Sequence, residues 1–194
     1  MPTHIRILNI ARGLALLSPL LLISIPSFSQ RGSVETIDAT AFGTSTQMGR
    51  NFGVKIMIYE FSGPDDRDIL VQAFQRGQHD GLYNALMKMK SVGRIQIPGT
   101  LGYDLSFIRE ILTPEGRTIR FVTNREILFG ESYWNSQSKS FNLTAGEINL
   151  NDKDKDKSAG VLFPAAQLIV NNEGELQLDL RQNPWRLTNI IEWK

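Results

Sequence analysis

The chain has 194 residues, 21 of them basic and 20 acidic, and no cysteine. A net charge of +1 leaves no electrostatic footprint for nucleic acid or an anionic lipid surface. The absence of cysteine excludes disulfides, thiolate metal sites, cysteine nucleophiles and a lipid-modified cysteine.

The first 29 residues read as a signal peptide. His4, Arg6 and Arg12 make a positive start with no acidic residue, and Leu14 to Ile25 is apolar apart from Ser18, Pro19 and Ser24. Ser27 and Ser29 then sit at the −3 and −1 positions of a cleavage before Gln30. The run is too short, and too interrupted by proline, for a spanning helix, which needs about 20 apolar residues. The expectation is therefore an exported protein, periplasmic or extracellular, with residues 30–194 forming a single β-rich domain and no transmembrane segment after cleavage. Losing Arg6 and Arg12 takes the basic residues from 21 to 19 against 20 acidic ones, so the exported part is still nearly neutral. A domain of that size buries about 70% of its unfolded surface and needs no disulfide to fold.

A first strand is predicted near Glu35–Thr44. A clearer one spans Phe52 to Glu60, where Val54, Ile56 and Ile58 alternate with Lys55, Met57 and Tyr59. Ser62-Gly63-Pro64-Asp65-Asp66 then starts a helix, with Ser62 as cap, proline in the first turn and acidic residues at the positive end of the dipole. Gly77 closes it. A second helix is predicted from Asp80, because Leu82, Ala85, Leu86 and Met89 lie at i, i+3, i+4 and i+7.

From Val92 onward the chain reads as strands and turns. Leu101, Tyr103, Leu105 and Phe107 alternate with Gly102, Asp104 and Ser106. Thr113-Pro114-Glu115-Gly116 is a tight-turn signal that joins Leu105–Leu112 to Arg117–Thr123 as a hairpin. Alternation places Arg120 and Val122 on one side of that second strand and Ile119, Phe121 and Thr123 on the other. Further strands are predicted at Ile127–Phe129, Leu143–Leu150, Val161–Val170, Leu176–Leu180 and Leu187–Trp193. Short links favour antiparallel pairing. The fold class is α+β: a mainly antiparallel sandwich or barrel-like sheet with a two-helix insertion between early strands.

Few residues carry chemistry. After cleavage His79 is the single histidine, placed in the linker between the two helices, so a triad or a two-histidine metal site has little to draw on. Asp152, Asp154 and Asp156 have the alternate spacing of a calcium loop. However, Lys157 and Phe163 stand where that loop needs glycine and glutamate, and the interleaved lysines offset the charge. No cofactor is expected, with calcium at those three residues the exception considered. Tyr133 and Trp134 form the candidate ligand site, as aromatic rings in a polar loop, whereas Trp185 and Trp193 read as core or edge packing. Glu60, Asp104, Glu110, Glu131 and Glu147 are the carboxylates available to a glycosidase-like pair. Arg109, Arg117, Arg120 and Arg125 cluster in sequence, and Asn142-Leu143-Thr144 fits a glycosylation acceptor. The leading expectation is an exported non-catalytic domain that binds a small apolar or carbohydrate ligand or an envelope protein partner. The alternatives are a carboxylate-dependent hydrolase and a structural or assembly protein of the envelope. Oligomeric state is not legible.

Overall fold

A computed structural model of the chain describes residues 35–97, 99–127, 141–170, 172, 176–180 and 183–194. The predicted signal-peptide residues, Tyr133 and Trp134, and most of the predicted Ile127–Phe129 strand lie outside the described residues.

Nine strands follow one another: β1 (Glu35–Phe42), β2 (Asn51–Ile58), β3 (Gly93–Gln96), β4 (Tyr103–Thr113), β5 (Gly116–Thr123), β6 (Leu143–Asn151), β7 (Ala159–Val170), β8 (Leu176–Leu180) and β9 (Trp185–Trp193). Each strand from β1 to β7 pairs antiparallel with the next. β9 pairs with both β7 and β1 and closes the sheet into a barrel. Ala166 pairs with Leu143 on one edge of β7 and with Leu180 on the other, so β8 lies on the same edge as β9. The two are successive parts of one interrupted strand, and the barrel has eight wall positions. Closure removes the unpaired edges that an open sheet would present.

An eight-stranded barrel has an interior just wide enough for side chains to fill. Ile37, Val54, Ile56, Ile95, Leu105, Ile108, Ile119, Phe121, Ile148, Leu162 and Leu187 supply that filling and are almost wholly buried. The predicted sidedness of β5 is seen, with Ile119, Phe121 and Thr123 inside and Arg120 exposed.

Three bulges interrupt the alternation. Leu105 pairs with Thr123 but Phe107 with Val122, so Ser106 is an extra residue in β4. Leu105 and Ile108 therefore face inward while Phe107 faces out, which corrects the unbroken alternation predicted for that strand. β7 carries a second bulge around Pro164, where a missing N–H does no harm to the ladder. In β9 the third falls at Asn189, whose φ of 50° is left-handed. Asparagine tolerates that conformation better than most residues.

One helical element, α1 (Pro64–Leu86), connects β2 to β3, in place of the two helices predicted there. The helix bends at Gly77 and Gln78, whose backbone angles are non-helical, but no linker separates the halves. Gly63 is the N-cap rather than Ser62, and its N–H donates to Asp66 Oδ2 at 2.8 Å. Ser62 instead binds β4, donating its N–H to the Ile108 carbonyl and accepting the Ile108 N–H at its Oγ. Leu70, Phe74, Leu82 and Leu86 bury one stripe of α1 against Phe107, Val122, Leu143 and Leu168 on the outer face of β4 to β7. Each such side chain is worth about 1.5–3 kcal/mol when fully buried. Among the described residues, no helix is long and apolar enough to cross a membrane.

Candidate functional site

The bend in α1 is the starting point. Gln78 has φ 51° and ψ −139°, a region that a residue with a Cβ enters only at a cost of about 1–3 kcal/mol. The bend folds the two halves so closely together that a Cβ on Gly81 would lie 2.2 Å from the Ala73 carbonyl oxygen. Only glycine permits that approach.

His79 holds the bend against the barrel. It is buried, and it lies within α1, not in a linker between two helices. The Leu168 N–H donates to His79 Nδ1 at 3.1 Å, which puts the ring proton on Nε2, 2.7 Å from Asn142 Oδ1. Leu168 lies just past the end of the β6–β7 pairing, so the imidazole satisfies an edge N–H that the ladder leaves over. Asn142 and Thr144, the glycosylation-pattern residues, are thus taken up internally: Thr144 Oγ1 donates to the Pro164 carbonyl and accepts from the Ile127 N–H.

In the crook of the bend lies an open groove of about 760 Å³. Ile69, Ala73, Gly77, Gly81 and Ala85 come from the two halves of α1, and Phe61, Met89 and Val92 from the chain on either side. Glu60, Asp66, Arg76, Asn84, Lys88 and Lys90 make the polar rim. Lys90 is paired with Glu60 at 2.7 Å, and Asp66 serves the helix cap. Arg76 donates to Gln72 at 3.3 Å, and neither it nor Lys88 forms an ion pair among the described residues. The groove is therefore apolar along its floor with a surplus of positive charge at its rim. Its size suits a small-molecule site.

The barrel interior holds a charged cluster that sequence reasoning missed. Arg117 points inward at the start of β5 and binds Glu110 at 2.5 Å, together with Glu35 and Glu192. Lys194 at 3.2 Å and Lys155 at 3.8 Å also reach Glu192. Burial by itself would lower the Arg117 pKa, but its hydrogen bonds to the three carboxylates outweigh it and raise the value above the ordinary range. Burial pushes the Glu192 carboxyl up, and the bonds from Arg117 and Lys194 more than reverse this, holding it below its usual value. The cluster places three carboxylates around one guanidinium at the end of the barrel. A signal for it was present: Arg117 shares the inward parity of Ile119 and Phe121.

Glu131 lies outside the described residues, and the other described candidate residues stay apart. Asp104 pairs with Arg94, Glu147 with Arg120, and Glu60 with Lys90. The sequence cluster of arginines disperses, with Arg117 inside, Arg120 on Glu147 and Arg125 stacked 5.1 Å above the Tyr103 ring. Asp152 goes to Lys155 and Asp154 to Lys157, and Asp154 also accepts the Asp156 N–H. Among the described residues, no group of three or more His, Asp or Glu side chains is placed to hold a metal ion. Trp185 is core, tilted against Phe52 with ring centroids 4.8 Å apart. Trp193 is exposed instead of packed. The chain matches no protein-family model, no curated protein and no solved structure.

Proposed function

We propose that this protein is an exported, non-catalytic binding domain that holds a small ligand with an apolar body and one anionic group in the crook of α1. The groove between the two halves of the helix carries this reading. It combines an apolar floor with Arg76 and Lys88 at the rim, and a strained residue, Gln78, maintains the bend that creates it. Backbone strain of this kind persists where the surrounding structure over-determines it, and functional sites are where it concentrates. Export rests on the charged, apolar, small-residue order of the first 29 residues. Among the described residues, inward apolar side chains fill the barrel interior.

A carboxylate-dependent hydrolase needs two carboxyl groups facing one cleft, with one of them protonated near neutral pH. The carboxylates that converge here, Glu35, Glu110 and Glu192, are each taken up by Arg117 instead of facing an open cleft, which favours the binding reading.

Native mass spectrometry of protein purified from its own host is the first test, and the expected result is a co-purifying small molecule. Calorimetric titration with dodecanoate is the second. Lys88→Glu should weaken binding by about tenfold through charge reversal, and Ile69→Asp by a similar factor through the apolar floor. Both residues are exposed, so the fold should survive. A wild-type protein that binds no dodecanoate and carries no host ligand would refute the reading.

A further inference from the structure

We propose that the opposite wall of the barrel, formed by β9, β1, β2 and β3, carries a second and independent site that takes the flat face of a neutral pyranose sugar, with Trp193 as its platform. Helix α1 packs on β4 to β7 and, among the described residues, leaves this wall open. The bulge at Asn189 shifts the alternation of β9 by one residue, so Ile191 and Trp193 turn outward, 50% and 55% exposed.

The Trp193 ring is held. Its Nε1–H donates to Asp38 Oδ2 at 2.9 Å, and Asp38 Oδ1 is 2.9 Å from Lys55 Nζ. An indole already oriented loses little freedom when a sugar stacks on it, and its face is the natural partner for the C–H side of a pyranose ring. The pairing register then sets Ile191, Asp38, Lys55 and Gln96 in one row across the four strands. Across Asp38 from Trp193 in the register is a hollow of about 370 Å³ over Gly53, rimmed by Asp38, Lys55, Gln96 and Thr100. A Cβ on Gly53 would meet no atom within 4 Å, so a larger side chain there would extend into the hollow.

The charge pattern selects the ligand class. Asp38 and Lys55 neutralise each other, which gives an ionic ligand no net attraction. A carboxylate, an ammonium and an amide in one row do match the donors and acceptors of adjacent hydroxyl groups. An aromatic platform beside such a row fits a polyhydroxylated, uncharged ring.

The test is calorimetric titration of the full exported chain with three tetrasaccharides: cellotetraose, mannotetraose and the tetramer of N-acetylglucosamine. Binding of at least one is expected. Trp193→Ala should weaken it by about tenfold or more, and Trp193→Phe by less, because a ring remains. Gly53→Val, which fills the hollow without touching Trp193, should weaken it to a similar extent. Leu112→Ala, at the far end of β4, should leave it unchanged. Binding of none of the three up to millimolar concentration overturns the proposal, as does binding indifferent to both Trp193→Ala and Gly53→Val. Self-association abolished by Trp193→Ala would also overturn it, by assigning the face to a second copy of the chain. Because the two sites share no lining residue, either result leaves the groove in α1 to be judged by its own titration.

Discussion

The two ends of the barrel meet the same demand with different chemistry. At one end, where β4 turns into β5 and β6 into β7, Arg117 gathers Glu35, Glu110 and Glu192 and the end is closed by charge. At the other, Thr123 and Thr144 bridge backbone groups across β5, β6 and β7, and Ile127 is drawn in as a fully buried plug. Gln47, from the 3-10 turn after β1, is buried there too. The ionic end depends on protonation and on every partner being present, since an unmatched buried charge is costly. The hydroxyl end is built from neutral groups and should not respond to pH.

The sharpest way to break the symmetry is Arg117→Ala. It leaves three carboxylates facing one another at the barrel end, and a loss of about 3–5 kcal/mol is expected in denaturant unfolding. Asn189→Val acts one step removed. A β-branched residue resists the left-handed backbone of the bulge that turns Glu192 inward, so a loss of about 1–3 kcal/mol should follow, whereas Asn189→Gly should be nearly neutral. At the opposite end, Thr144→Val removes a donor to Pro164 and an acceptor for Ile127, and about 1–3 kcal/mol should again be lost.

Acid separates the two ends. Glu192 has its carboxyl held below the ordinary 4.5, so the stability it supplies is complete above that value and is lost as pH falls through the lowered native one. Unfolding midpoints of the wild type should therefore drop below about pH 4.5. Thr144→Val should follow the same slope from a lower start, and Glu192→Gln should show a shallower one. The smallest effect belongs to Lys155→Ala. Its ammonium is mostly exposed and 3.8 Å from Glu192, and such pairs contribute about 0–1 kcal/mol. A thermal shift that vanishes in high salt would match.

Much of the wall was legible because its signals are local. Pro114-Glu115 joins β4 to β5 as its turn chemistry suggested, with Thr113 paired to Gly116. Val54, Ile56 and Ile58 point inward as their alternation implied. The candidate site was much less legible. Gly77 marked an interruption in the helical pattern, yet nothing near it signalled that Gly81 would lie against Ala73 or that the resulting crook would open as a groove. His79 looked solvated because its partners, Asn142 and Leu168, are 63 and 89 positions away. Trp193 looked like packing because simple alternation from Leu187 would have turned it inward.

From sequence alone came the β-rich class, most strand positions, the inward face of β5 and the absence of thiol chemistry. Each of these follows from side-chain type and a period of two or 3.6 residues. Tertiary structure alone decided that the sheet closes, that bulges at Ser106, Pro164 and Asn189 reset which residues face in, and that Arg117 meets carboxylates 82 and 75 positions away on β1 and β9. The reason is physical. A one-residue slip in register exchanges the two faces of a strand, and the cost or gain of that exchange lies in neighbours brought from elsewhere in the chain.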